Sequence, residues 1–250
     1  MRVLTLLAVL WLCAPAWAAP TVYLAGDSTL APKREEKRPE TGWGERLAPG
    51  FAAEVRIDNR AVNGRSTRSF LAEGRWAELL SAVRPGDYVL IQFGHNDQAC
   101  DKPDRYTPPE QFRRNLETFV DQARERGATA VLLTPVARRR FDAQGRAQAS
   151  HGEYPALVRA VATQRQVPLI DLEQRSLALL DRAGLVASRP WFLWLAPGEH
   201  PNYPGGIEDN THFSAQGAGC MAAEVVDGLR SLDLPLRDWL APAAMPRCGS

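Results

Sequence analysis

Net charge is nearly absent from this sequence: 30 lysines and arginines face 29 aspartates and glutamates. Without a basic surplus, the counterion release that drives nucleic-acid binding has no source, so nucleic acid is not expected as a partner. Internal repeats and low-complexity segments are also missing, which removes solenoids and collagen-like chains from consideration. Long apolar runs are lacking too. The stretch from Val3 to Cys13 falls well short of the roughly 20 residues that a spanning helix needs. What is present is ordinary globular composition, 45% hydrophobic and 24% charged, enough for one sizeable core.

The first residues read as a leader. Arg2, the apolar run and the small-x-small signal Ala16-Trp17-Ala18 form a signal peptide over 1–18, followed by a single domain over 19–250. Export to the periplasm or beyond is the expectation, with no stable membrane insertion. Arg2 is the only charge in the leader, so cleavage takes the formal net charge from +1 to 0. Cysteine is scarce, and after loss of Cys13 only Cys100, Cys220 and Cys248 remain. Cys220 falls in the last predicted helix and Cys248 in the Pro-rich tail behind it, so a disulfide between them would tie down the tail and leave Cys100 free.

Buried strands are predicted at Thr21 to Ala25, Ala53 to Ile57, Tyr88 to Phe93, Thr129 to Thr134 and Val167 to Leu172. Between or after them, Arg68 to Ala82, Pro109 to Arg126, Glu153 to Gln166 and Ala215 to Leu229 carry apolar residues at helical spacing. This alternation predicts an α/β fold with a parallel sheet covered on both faces, whose ligands gather beyond the carboxyl ends of the strands. Chemistry-bearing residues follow those ends: Gly26-Asp27-Ser28, Asn63-Gly64 and Gly94-His95-Asn96-Asp97. Leu185 to Asn210, rich in Pro, Gly and aromatics, reads as an irregular loop that delivers Asp209 and His212.

Acyl transfer to water needs a nucleophile, a base, a carboxylate to orient the base, and donors for the oxyanion. Ser28 in its strand-to-loop turn is the candidate nucleophile, His212 the base and Asp209 its orienting carboxylate. The backbone N–H groups of Ser28 and Gly64 and the side-chain amide of Asn96 are the candidate oxyanion donors. His95 is assigned a structural role, and Asp27 and Asp97 are read as braces of their turns. Asp27, His95, Asn96, Asp97 and His212 also suggest metal-binding chemistry. The early Asp-x-His pair of such sites is missing, and neither metal nor cofactor is assigned.

Gly26-Asp27-Ser28, Gly64, Asn96 and Asp209-Asn210-Thr211-His212 resemble the sequence blocks of the SGNH (GDSL-like) hydrolase superfamily. The finer texture, Ala25-Gly26-Asp27-Ser28-Thr29, Gly42-Trp43-Gly44, Asn63 to Phe70, Phe93 to Asp97 and Asp209 to Ser214, is similar to the rhamnogalacturonan acetylesterase family. The resemblance implies a flavodoxin-like three-layer α/β/α sandwich with a five-stranded parallel sheet, a metal-free serine mechanism, and an acetylated polysaccharide or oligosaccharide as substrate. Asn63 stands where many relatives have a small residue before the glycine. For the polymer itself, Arg138, Arg139 and Arg140 after the fourth strand are candidate partners of uronate carboxylates. Trp191, Trp194, His200 and Tyr203 are candidate stacking residues. The alternative with the same triad is a lipase or thioesterase of broad acyl specificity.

Overall fold

The computed structural model describes residues 18–243 together with Met245 and Cys248. Apart from Ala18, the leader expected over 1–18 lies outside the described residues.

Five strands form one parallel sheet: β1 (Thr21–Gly26), β2 (Arg56–Asn59), β3 (Tyr88–Gln92), β4 (Thr129–Leu133) and β5 (Leu169–Ile170), in the spatial order β2-β1-β3-β4-β5. Side-chain alternation along the strands divides the core into two layers. Val22, Leu24, Leu90, Val131 and Leu133 face one layer, while Tyr23, Ala25, Val89, Ile91, Ala130 and Leu132 face the other. The second face is covered by α1 (Thr67–Ala72), α2 (Arg75–Ala82), α3 (Pro109–Glu125) and α4 (Tyr154–Gln164). The first is covered by α5 (Leu172–Ala187), which is interrupted at Gly184, and by α6 (Ala215–Ser231). The result is the expected three-layer sandwich. Among the described residues no helix is long and apolar enough to cross a membrane.

Several boundaries differ from the sequence reading, each for a local reason. The helix expected over Arg68 to Ala82 is two helices, because Gly74 adopts φ +71° between them and turns the chain. α5 was hidden by the strand reading of Val167 to Leu172, although Asp171 is a normal N-cap, accepting from the Gln174 N–H. Leu185 to Asn210 is not irregular throughout. It closes α5 and contains β6 (Phe192–Leu195), which pairs antiparallel with β7 (Ile207–Phe213). Its prolines and glycines cluster in the connection between these strands, and that clustering masked the pairing. Cys220 and Cys248 form a disulfide, with Cα atoms 5.3 Å apart, and Cys100 is free and exposed.

Candidate active site

Ser28 stands just beyond β1 on a turn pinned from below. A Cβ on Gly26 would lie 2.6 Å from the Gln92 carbonyl oxygen, so only glycine lets β1 end so close to β3. The buried Asp27 carboxylate accepts from the Thr29 N–H at 2.9 Å and the Thr29 hydroxyl at 2.8 Å. That hydroxyl accepts from Gln92 Nε2, and Gln92 Oε1 accepts from the Trp43 indole. This buried network rigidifies its turn, and Asp27 Oδ2 is left without a hydrogen-bond partner among the described residues. It leaves the Ser28 side chain at the sheet edge.

His212 arrives on β7. Its Nδ1 donates to Asp209 Oδ2 at 2.7 Å, and its Nε2 accepts from the Ser28 hydroxyl at 2.9 Å. Because Nδ1 carries the proton toward a carboxylate, Nε2 is left as the acceptor that a general base requires. Asp209 Oδ1 accepts from the backbone N–H groups of Thr211 and His212. Burial works against its charge, but these hydrogen bonds hold the carboxyl below the usual carboxylate range. Immediately afterwards Ser214 caps α6, so base and helix start are fixed together.

Gly64 has φ +76°, and Asn96 lies across the mouth of the turn. The Asn96 amide is oriented from both ends: Nδ2 donates to the Arg65 carbonyl at 3.0 Å, and Oδ1 accepts from Arg105 Nη1 at 3.3 Å. Arg105 also lies 3.5 Å from where a Gly64 Cβ would sit. Beneath, the fully buried Lys33 ammonium donates to the Ser28 carbonyl, to Asn63 Oδ1 at 2.9 Å and to Glu40 Oε1 at 2.7 Å. Asn63 is thus the acceptor that joins the Gly64 turn to the Ser28 turn. Burial pulls the Lys33 pKa down, against the opposing pull of Glu40.

Ser28, His212, Gly64 and Asn96 all line one cleft of about 650 Å³. Lys37, Glu40, Lys102, Arg105 and Arg138 contribute most of its charge. Of the arginines expected to meet substrate, Arg138 lines the cleft. Arg139 is only 8% exposed and turns inward, donating to Ser188 Oγ, Asn210 Oδ1 and the Leu185 carbonyl. Arg140 is exposed outside the cleft lining. The aromatic wall is likewise corrected: Trp191 is buried in the core, and the Trp194 indole donates to Asn210 Oδ1 beneath the Arg139 guanidinium. His200 and Tyr203 also lie outside the cleft lining, with the Tyr203 hydroxyl donating to the Lys37 carbonyl. Arg139 and Trp194 therefore brace β7 beside Asp209.

Asp97 accepts from the N–H and hydroxyl of Thr67 and from the Gly94 N–H, which ties the Asn96 loop to the start of α1. Burial raises its carboxyl to about 6. His95 sits at the cleft floor with its ring turned onto His151, Nδ1 to Nε2 at 3.0 Å. Burial depresses both imidazoles, His151 to about 3.

Residues 24–219 match the GDSL-like lipase/acylhydrolase family. The chain belongs to that family. It is 46% identical over 219 residues to the rhamnogalacturonan acetylesterase RhgT of Bacillus subtilis (strain 168), covering 88% of this chain and 93% of the relative. The probable rhamnogalacturonan acetylesterase YesY of the same organism is 35% identical, over 87% of this chain and 95% of its own length. The crystal structure of YxiM from Bacillus subtilis superposes with a TM-score of 0.73 at 25% identity, over 85% of this chain. This chain spans 56% of that structure's length.

Sequence reasoning about this GDSL-family site missed Lys33, Glu40 and Arg105. Lys33 opens and Glu40 closes the run KREEKRPE, which looks like solvated surface charge. The signal was their position between Ser28 and Gly42-Trp43-Gly44, where the chain must pass the site. Arg105 had no motif around it.

Proposed function

We propose that this protein is an exported serine esterase that removes O-acetyl groups from rhamnogalacturonan. The observation that carries the proposal is the unbroken relay from Asp209 through His212 to the Ser28 hydroxyl, at 2.7 and 2.9 Å, opening onto a charged cleft. Ser28 Oγ attacks the acetyl carbonyl as His212 Nε2 takes its proton. Donors at Ser28, Gly64 and Asn96 stabilise the developing oxyanion, and His212 returns the proton to the leaving sugar oxygen. Water then releases acetate from the acetyl-enzyme by the reverse proton route.

The relatives RhgT and YesY carry the name of this activity. Four cations of the lining, Lys37, Lys102, Arg105 and Arg138, outnumber its two carboxylates, Glu40 and Asp101, which suits a polymer that bears galacturonate carboxylates. Such lining is a poor bed for a long acyl chain, which favours acetyl over the broad lipase or thioesterase reading. The Cys220–Cys248 disulfide supports export, since such bonds persist in oxidising compartments. The test compares release of acid from acetylated rhamnogalacturonan, acetylated xylan and octanoyl esters under one set of conditions. Preference for octanoyl esters defeats the acetylesterase reading, and preference for xylan defeats the pectic one.

A further inference from the structure

We infer that Glu40 orients the water that hydrolyses the acetyl-enzyme, by sharing that water with His212 Nε2. The inference rests on the serine-esterase reading above. Glu40 belongs to no part of the relay, yet its carboxylate lines the cleft with Ser28 and His212, and its Oε1 lies 4.0 Å from His212 Nε2. That separation is too long for direct contact and suits one bridging molecule.

In the free enzyme Nε2 is occupied by the Ser28 hydroxyl. Once Oγ is acetylated it has no proton to give, and Nε2 becomes a vacant acceptor. Water entering there donates one hydrogen to Nε2, and its second hydrogen needs an acceptor. Two hydrogen bonds of about 2.8 Å to acceptors this far apart subtend roughly 90° at the water oxygen, a bend that water tolerates. Glu40 Oε1 and His212 Nε2 therefore engage both hydrogens and leave a lone pair for the acyl carbon, whose carbonyl oxygen rests on the oxyanion donors.

The acceptor is held in place beforehand. Glu40 is side-chain buried to all but 9%, and its Oε1 is fixed by Lys33, whose three ammonium hydrogens are shared among Glu40, Asn63 and the Ser28 carbonyl. The same ammonium thus sets the water acceptor, the oxyanion turn and the nucleophile turn relative to one another, which is the preorganisation an attacking group needs.

In the step itself, the water oxygen bonds to the acyl carbon as one of its protons passes to Nε2. The tetrahedral intermediate collapses, the bond from carbon to Ser28 Oγ breaks, and the Nε2 proton returns to Oγ. The second water proton leaves on acetic acid, which ionises in solvent. Glu40 accepts a hydrogen bond throughout and takes no proton.

The experiment follows p-nitrophenyl acetate turnover by stopped flow in the wild type, in Glu40→Met and in Glu40→Leu, which remove the acceptor while Lys33 keeps the Ser28 carbonyl and Asn63 Oδ1 as partners. Both variants should keep a burst rate within a few-fold of wild type while the steady-state rate falls about tenfold or more. Acetyl-Ser28 should then accumulate, visible as the mass of one acetyl group on its peptide. Added methanol supplies the discriminating readout. Methanol has a single O–H, which Nε2 alone can use, so the ratio of methyl acetate to acetate should rise several-fold in the variants. The inference is overturned if burst and steady state fall together, if the partition ratio is unchanged, or if only KM for an acetylated oligosaccharide rises, which would make Glu40 a sugar-hydroxyl acceptor. A Ser28 that a fluorophosphonate probe fails to modify in the wild type sinks the serine-esterase reading itself.

Discussion

Arg105 holds Asn96 by its oxygen: Nη1 lies 3.3 Å from Oδ1, while Nδ2 of the same amide donates to the Arg65 carbonyl. With both ends engaged, one N–H remains for an oxyanion. In the proposed mechanism this makes Arg105 a positioning residue. Asn96→Ala should lower kcat on a neutral acetyl ester by roughly 10²–10³ with little change in KM. Arg105→Met should lower it about tenfold by releasing the amide, and Arg105→Lys should recover part of the loss. A change in KM alone for Arg105→Met would assign the guanidinium to substrate instead.

Ser28→Ala and His212→Ala should each remove nearly all activity, and Asp209→Ala should leave more, because a base remains although its tautomer and orientation are lost. Initial rates on p-nitrophenyl acetate, with circular dichroism to verify folding, decide this. A Ser28→Ala rate within a few-fold of wild type would falsify the nucleophile assignment.

The His95–His151 pair makes stability sensitive to acid. Burial lowers the folded His151 pKa to about 3 from 6.5, so between those values the unfolded chain binds a proton that the native protein refuses. Its contribution is therefore fully present above the unfolded pKa and is lost as pH falls toward 3. Asp97, raised to about 6 by burial, works in the opposite direction, and its effect is common to wild type and variant. Urea unfolding at pH 7 and pH 5 should show wild type losing about 2 kcal/mol more than His151→Asn between the two. Equal losses would show that His151 is protonated within the fold.

The two classes of arginine and lysine should separate by readout. Arg139→Ala should cost about 1–3 kcal/mol of stability, since Asn210 Oδ1, Ser188 Oγ and the Leu185 carbonyl lose a shared charged donor. Thermal unfolding checks it, and an unchanged midpoint counts against the bracing role.

Lys102 lines the cleft, and its side chain makes no hydrogen bond or ion pair among the described residues. Lys102→Ala should raise KM for acetylated rhamnogalacturonan several-fold at low salt, leave p-nitrophenyl acetate unaffected, and lose its effect as salt screens the charge. A salt-independent increase would point to packing rather than charge.

Much of this protein was legible in its sequence because the relevant signals are local. Alternating strands and helices follow from side-chain periodicity, so the five-stranded α/β sheet could be read before any coordinates. Ser28, Gly64, Asn96 and the Asp209/His212 pair each lie at the end of a local pattern, and the turn in which Asp209 Oδ1 accepts the Thr211 and His212 N–H groups brings two side chains three residues apart together. Cys220 and Cys248 could be paired because one lies in the last helix and the other in the Pro-rich tail behind it. Residues whose contacts are distant in sequence were not legible. Lys33 and Glu40 look like surface charge until the fold places them under Ser28, and Arg105 acquires its role only when the loop after β3 closes against Gly64. Arg139 and Trp194 were misread in the opposite sense: polar and aromatic residues near a strand end suggested substrate contacts, but they turn inward onto Asn210. A charged side chain has no periodicity to reveal which way it points. Only the tertiary packing decides whether its partner is solvent, substrate or the chain itself, because that choice depends on which acceptors the fold leaves buried and unsatisfied.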